Sequence, residues 1–481
     1  MKIAFVFPIT DAYSRKKPIG FPITINLGIS YISSVLKLSG HSTCLSVLTQ
    51  SNGDQIERSL DEFSPQMICF TSVSTSYYLI KDFARTYKKR HPRIFLLAGG
   101  CHVSLNPEEA IADSFDAICI GEGEYPTLEL AAQLEQGISP SGIKNLWIKN
   151  DIDIEKNPTR PFMENLDELP FPDRQMWKEW IRYPERLSAI LLSRGCPFKC
   201  TYCCNHKLAR LAGGRYHRFR SPQNILDELN EYLTEHAQTK EIYFETETIA
   251  TNLNYALQLC SSLEQFNRER EQPLAFGANF RVTPNTDYET LFEAFHRANF
   301  KSINIGLESG SERVRREILN RIYSNDDITK AATFAKKYGI RINLFVMVGL
   351  PGETLRDFQQ TIEVTRKTQP GSLKISMFYP YPGTELASRC KEEGLIDERI
   401  DMQSVRERVV PLLNLSDFPK KQVLRSYIWF EYNVFKGYKP LHKIFIGVLQ
   451  RKVMTSPSLL RIFRFLLNIP LCVDLRNKLV S

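Results

Sequence analysis

The chain has 481 residues, of which 43% are hydrophobic and 24% charged, and its formal net charge is +8. That length accommodates two or three domains with cores of their own, and the ordinary composition excludes a low-complexity or disordered chain. The positive charge is spread without a dominant Lys/Arg run, so no nucleic-acid partner is expected.

The opening "MKIAFVFPIT" is too short and wrongly flanked for a signal peptide and reads as a first strand. "LGISYISSVLKLSGH" follows with helical periodicity, and Gly40 is placed to stop it. "QMICFTSVS" is a buried strand, "YYLIKDFARTYKKRHP" an amphipathic helix ended by Pro92, and "RIFLLAGG" and "DAICIGEG" are short apolar runs closing on glycine. Alternating units of this kind predict a parallel sheet covered on both faces, with ligands outside the carboxyl ends of its strands. A proline- and acid-rich connector is expected from about 141 to 186, after a first domain at 1–140.

From about 187 the alternation resumes with "SAILLSR", "EIYFET", "LAFGANF", "SINIGLES", "RINLFVMVG" and "LKISMFY". Six strands with helices between them predict a partial (β/α)6 barrel over 187–390, its site at the strand C-termini. Residues 391–481 read as mostly helical. The tail "LLRIFRFLLNIPLCVDL" has two readings, a helix packed on the barrel or a basic amphipathic segment resting on a membrane surface. No stretch reaches the roughly 18 apolar residues that a spanning helix needs.

Eleven cysteines without a signal peptide point to a reducing cytoplasm rather than a disulfide scaffold. Seven are scattered, but Cys196, Cys200, Cys203 and Cys204 crowd into "RGCPFKCTYCCNH". Thiolates select zinc or iron–sulfur centres. Structural zinc takes two well-separated pairs of ligands, and no second CxxC pair lies downstream, although His206 could complete a zinc site. Three cysteines in one tight loop can instead hold three irons of a 4Fe–4S cube and leave the fourth iron open.

"CPFKCTYC" at the end of the first barrel strand resembles the cluster motif of the radical S-adenosylmethionine enzymes. The resemblance implies that Cys196, Cys200 and Cys203 ligate a 4Fe–4S cluster, whose open iron binds S-adenosylmethionine and cleaves it to a 5′-deoxyadenosyl radical. Tyr202 would sit near the adenine, and Cys204 lies outside the motif. "EIYFETETIA" stands where many relatives carry two adjacent acids. Here Thr246 replaces one, leaving Glu247 to contact the cofactor's amino group, or to serve as a solvated strand end. Arg281 in "ANFRVT" could fork to a carboxylate or pair with a neighbouring acid. "NIGLESGSERVR" resembles the family's fourth-strand motif, which implies Glu308 and Ser309 facing the cofactor. "VMVGLPGET" resembles the fifth-strand segment, with Met347, Val348 and Gly349 at the adenine.

The first domain resembles the N-terminal half of the cobalamin-dependent members of that family. The implied corrin-binding residues are Thr71, Ser72, Ser74, Gly99, Gly100, His102, Gly121 and Glu122. An Asp-x-His-x-x-Gly run is absent, so a protein histidine below the cobalt is not expected, and His102 reads better as a loop hydrogen-bonder. The implied reaction is methyl transfer from cobalamin to an unactivated carbon. A radical cyclisation, rearrangement or oxidation is the alternative within the architecture, and a zinc-stabilised binding module the alternative outside it. A small or lipid-like substrate and an electron donor such as flavodoxin or ferredoxin are the implied partners.

Overall fold

A computed structural model describes residues 1–10, 12, 17–20, 25–150, 152–182, 188–397 and 405–461. Most of the tail singled out above lies outside the described residues. The chain divides into two compact units. The first comprises Met1–Arg281, Glu289–Ile303 and Tyr381–Ser388, and the second Val282–Tyr288, Asn304–Pro380 and Arg389–Ser481.

The first unit opens with β1 (Lys2–Pro8), α1 (Leu27–Leu38), β2 (Ser42–Leu48), α2 (Gly53–Phe63), β3 (Met67–Thr71) and α3 (Tyr77–Arg90). It continues with β4 (Phe95–Gly99), α4 (Cys101–Leu105), α5 (Pro107–Ala112), β5 (Ala117–Cys119), α6 (Glu124–Glu135), β6 (Leu146–Lys149) and β7 (Ile154–Lys156). The strands form one sheet in the order β2-β1-β3-β4-β5-β6-β7. The first five are parallel and the last two join antiparallel. Strand alternation builds a core on each face: Ile3, Phe5, Met67 and Leu97 enter one, and Ala4, Val6, Ile68, Phe70 and Leu96 the other.

Residues expected as a connector take defined structure. β6 and β7 lengthen the sheet, and Trp177 is fully buried edge-on to Phe7 at 5.3 Å, donating from its indole to Ser30 Oγ at 2.8 Å. That tryptophan anchors the segment, because a large ring contributes apolar burial and its N–H has a partner.

Next come β8 (Ala189–Leu191), β9 (Ser193–Arg194), α7 (Asn205–Leu208), β10 (Arg218–Phe219), α8 (Pro222–Glu235), β11 (Glu241–Glu245), α9 (Leu253–Arg268), β12 (Ala275–Phe280), α10 (Tyr288–Arg297) and β13 (Phe300–Glu308). β8, β11 and β12 pair in parallel in that order. β13 gives its first four residues to this unit and its last five to the second. The second unit adds α11 (Asn325–Lys337), β14 (Arg341–Val348), α12 (Leu355–Thr368), β15 (Ser372–Met377), α13 (Glu385–Glu392, shared with the first unit), α14 (Lys420–Phe435) and α15 (Leu441–Thr455). β14 and β15 are parallel. Six parallel strands with intervening helices are the expected partial barrel.

Period-two burial fixes which side chains face its interior. Ile242, Phe244, Phe276, Ala278, Ile305 and Leu307 are buried on the helix-covered side. The alternating positions carry Tyr243, Glu245, Gly277, Asn279, Gly306 and Glu308. Glu245, Asn279 and Glu308 thus stand as polar groups in that register.

Candidate functional site

The cysteine loop starts immediately after β9. Gly195 has φ +79°, and a Cβ there would stand 2.2 Å from the Tyr216 carbonyl oxygen, so only glycine permits this exit from the strand. The Cys203 N–H donates to the Cys200 carbonyl at 3.1 Å and closes the turn. Cys200 is buried, and its Sγ accepts from Arg281 Nη1 at 2.7 Å, with that guanidinium 3.8 Å above the Phe198 ring. Asn205 Nδ2 donates to Cys203 Sγ at 3.6 Å and is itself held by Tyr216, whose hydroxyl donates to Oδ1 at 2.7 Å.

Donors aimed at sulfur suit thiolates. Burial, and then the charge of Glu247, push the Cys196 thiol up to about 12 against a backbone hydrogen bond from Phe198, so ionising it calls for a cationic partner such as a metal centre. Among the described residues no three His, Cys, Asp or Glu side chains meet at the spacing of a single ion; a cube spreads its ligands wider. The donor set of three loop cysteines fits the cluster. Tyr202, just before Cys203 in the chain, is half-buried, and both ring nitrogens of buried His206 lack hydrogen-bond partners.

At the end of β11 the expected acid Glu247 has a companion that the sequence reading missed. Glu245 lies two residues earlier, on the same face. Burial, and then the charge of Glu247, raise Glu245 to about 7. Burial also raises Glu247, against a hydrogen bond from Asn205. Two crowded acids without a bridging cation suit an ammonium ligand. Thr246 points away, sharing a 2.6 Å hydrogen bond with Ser193. The alternation of "EIYFETE" carries the missed signal.

In the second unit, Glu308 ends β13 at φ +61°, its Oε1 3.7 Å from Arg321 Nη1. Ser309 is fully buried and accepts from the Ser311 N–H at 3.2 Å. Met347 and Val348 point to opposite sides of β14, so only Met347 shares the interior-facing register. Gly349, at φ +79°, donates its N–H to Glu353 Oε2 at 2.7 Å. Gly310 serves packing: a Cβ there would lie 2.5 Å from the Gln360 carbonyl oxygen on α12.

A cavity of about 630 Å³ opens in the first unit at the carboxyl ends of β1, β3, β4 and β5. Thr71, Ser72, Gly99, Gly100, Gly121 and Glu122 line it, and so do Arg194, Gly195, Tyr216 and Glu247 beside the cysteine loop. Gly100, at φ +96°, is forced by Thr71 and Ser72, whose atoms lie 2.7–2.9 Å from where a Cβ would stand. The buried Ser72 Oγ has no partner at this wall, which fits a ligand with polar groups.

Ser74 and His102 are not part of the wall. His102 is the second residue of α4, turned about 100° from the first, and it goes into the core. There it is 3% exposed, packs its ring against Tyr77 at 4.0 Å and a 30° tilt, meets Ser74 Oγ at 3.2 Å and is pushed down by burial to about 4. Cys101 takes the cavity position instead, its thiol hydrogen-bonded to Cys204.

Glu122 binds the cysteine loop to the first sheet. Its carboxylate accepts from Arg218 at 2.8 and 3.1 Å, from Arg194 at 3.2 Å and from the Met163 N–H at 3.0 Å. Arg194 also donates to Glu124 at 2.6 Å. Burial would raise Glu122, but Arg218 and Arg194 hold it below the usual carboxylate range.

The loop of soft ligands at a barrel strand end and the cavity above a doubly wound sheet fit a cofactor-dependent enzyme that holds a metal cluster. Residues 190–365 match the family model of the radical SAM superfamily, and residues 22–131 match that of the B12 binding domain. The chain thus carries a radical SAM domain and, ahead of it, a B12-binding domain, whose cofactors are a 4Fe–4S cluster with S-adenosylmethionine and cobalamin.

It is 27% identical over 429 residues to an uncharacterized methyltransferase of Pyrococcus horikoshii, covering 88% of this chain and 90% of that one. It is 24% identical over 371 residues to the anaerobic magnesium-protoporphyrin IX monomethyl ester cyclase of Rubrivivax gelatinosus, covering 74% and 65%. The radical SAM methyltransferase TsrM of Kitasatospora setae, solved with cobalamin and a [4Fe-4S] cluster, has a similar fold. The TM-score is 0.64 at 14% identity, over 95% of this chain and 91% of that chain.

Proposed function

We propose that the enzyme transfers a methyl group to an unactivated carbon of a small or lipid-like substrate. The observation that carries this reading is the single cavity walled both by the sheet ends of the B12-binding domain and by Arg194, Gly195, Tyr216 and Glu247 beside the cysteine loop. When bound, the cluster and S-adenosylmethionine supply a hydrogen-abstracting radical and cobalamin supplies the methyl group. Similarity to the Pyrococcus methyltransferase and the TsrM fold supports the same reading.

The chain's own residues bind and orient. Cys196, Cys200 and Cys203 hold the cluster, with Arg281 and Asn205 fixing two of the sulfurs by hydrogen bonds. Glu247, with Glu245 behind it, would accept the ammonium of the methionyl group, and Tyr202 would offer apolar contact to the adenine. Thr71, Ser72, Gly99, Gly100 and Gly121 cradle the corrin. Glu122 acts on the cofactors through the arginines it clamps. A low-potential one-electron protein such as flavodoxin or ferredoxin is the reductant, in the cytoplasm. The described cysteines are unpaired, and among the described residues no helix is long and apolar enough to cross a membrane.

The test is anaerobic incubation of the reconstituted enzyme with methyl-labelled S-adenosylmethionine and metabolite pools. A product heavier by one labelled methyl in place of hydrogen is expected. A product of unchanged carbon count, with 5′-deoxyadenosine still formed, refutes methyl transfer and favours the ring-forming chemistry of the Rubrivivax relative.

A further inference from the structure

The second unit presents an apolar helix face that the described residues leave uncovered. α15 packs on α14 through Ile444 and Val448, which are buried. Next to that buried edge Leu441, Phe445 and Leu449 recur every fourth residue and make one stripe, with Ile446 further round the helix. These four are 57%, 46%, 61% and 54% exposed. Scattered exposed leucines need no explanation, but four large side chains on one face of one helix do. Trp429 and Tyr438, both more than a third exposed, stand on and just after α14, and Tyr432 packs its ring 5.9 Å from Phe445.

The stretch of chain that carries this face has charge of one sign. Between Glu431 and Asp474 the sequence has no Asp or Glu and seven basic residues: Lys436, Lys439, Lys443, Arg451, Lys452, Arg461 and Arg464. Glu431 itself is paired with Arg451 at 2.6 Å. Lys436, Lys443 and Lys452 are exposed. An apolar stripe edged by lysines and amphipathic aromatics complements an anionic bilayer surface, where acyl chains receive the leucines and headgroups the ammoniums. A second copy of this chain would oppose like charges across the same face.

We propose that α15 seats the enzyme on the surface of an anionic membrane, with Leu441, Phe445, Ile446 and Leu449 entering the interface. This goes beyond methyl transfer and does not rest on it. It also places the contact on α15, upstream of the tail that the sequence singles out.

The experiment is vesicle sedimentation of the full-length holoenzyme. Phosphatidylcholine vesicles containing about 30% phosphatidylglycerol are expected to retain about tenfold more protein than phosphatidylcholine alone, and to release it as salt rises from about 50 to about 300 mM. Phe445→Glu with Leu449→Glu lowers retention about tenfold. Lys436→Gln with Lys443→Gln and Lys452→Gln lowers it on anionic vesicles only. All these sites are exposed, and unchanged 5′-deoxyadenosine formation by the soluble variants shows an intact fold. Equal retention of wild type and the glutamate variant overturns the proposal. So does absence of binding, or a solution dimer that the glutamates dissolve without any vesicle binding by the wild type.

Discussion

Replacing Glu122 with Gln keeps its shape and removes the negative charge shared by Arg194 and Arg218. Arg194 retains Glu124 at 2.6 Å. Arg218, whose side chain is 3% exposed, is left with the carbonyls of Met163 and Tyr216 as acceptors. Removing one partner of a buried pair costs about 3–5 kcal/mol. The surviving acceptors and the partial exposure of Glu122 bring the expected loss to about 2–3 kcal/mol at pH 7. In a thermal melt of the apoprotein that is a drop of roughly 2–5 °C.

The pH dependence has a definite sign. The folded pKa of Glu122 lies below its unfolded value, so its contribution is present above about pH 4.3 and is lost as pH falls through the folded pKa. The gap between wild type and variant should therefore close in acid. Iron content after reconstitution should fall too, because Arg194 immediately precedes Gly195 and Cys196. A variant within about 0.5 kcal/mol of wild type at pH 7, or a gap indifferent to pH, would refute the clamp.

Gly195→Ala should abolish iron–sulfur incorporation, since its Cβ would collide with the Tyr216 carbonyl oxygen; a normal iron-to-protein ratio would contradict this. Arg281→Met should leave the fold intact but weaken retention of the cluster, read as faster iron release to a chelator, because Cys200 Sγ loses its 2.7 Å donor. Cys204→Ser should keep the cluster, as a non-ligand, while Cys203→Ser loses it. Glu353 is raised by burial to about 8, so the stability of its neutral form is present below about pH 4.3 and is lost as pH climbs through 8. That loss amounts to on the order of 5 kcal/mol, and Glu353→Gln should remove this slope from urea midpoints measured between those pH values.

Most of the architecture was legible because both domains are built from strands with strict patterns. "RINLFVMV" is legible as a strand from its β-branched and apolar letters, although only its first half alternates and the opposite facing of Met347 and Val348 comes from the structure. The cysteine loop was legible because soft ligands at short spacing have few other uses. Three features were not legible. Glu245 was hidden because attention fell on adjacent acids, whereas strand geometry brings together residues two apart. His102 attracted notice as a histidine at a strand end, but the first turn of α4 rotates it under Tyr77 and leaves the cavity to Cys101. The clamp of Glu122 on Arg194 and Arg218 joins residues up to 96 positions apart, and no local pattern carries such a pairing.

The central claim is that Cys196, Cys200 and Cys203 hold a redox-active cluster that opens S-adenosylmethionine. It is tested most directly by 5′-deoxyadenosine release from anaerobically reconstituted, dithionite-reduced protein. The wild type should release it, and Cys200→Ala should release none although it still folds and still binds cobalamin. Undiminished release from Cys200→Ala would contradict the claim, as would a wild type that yields no 5′-deoxyadenosine at all.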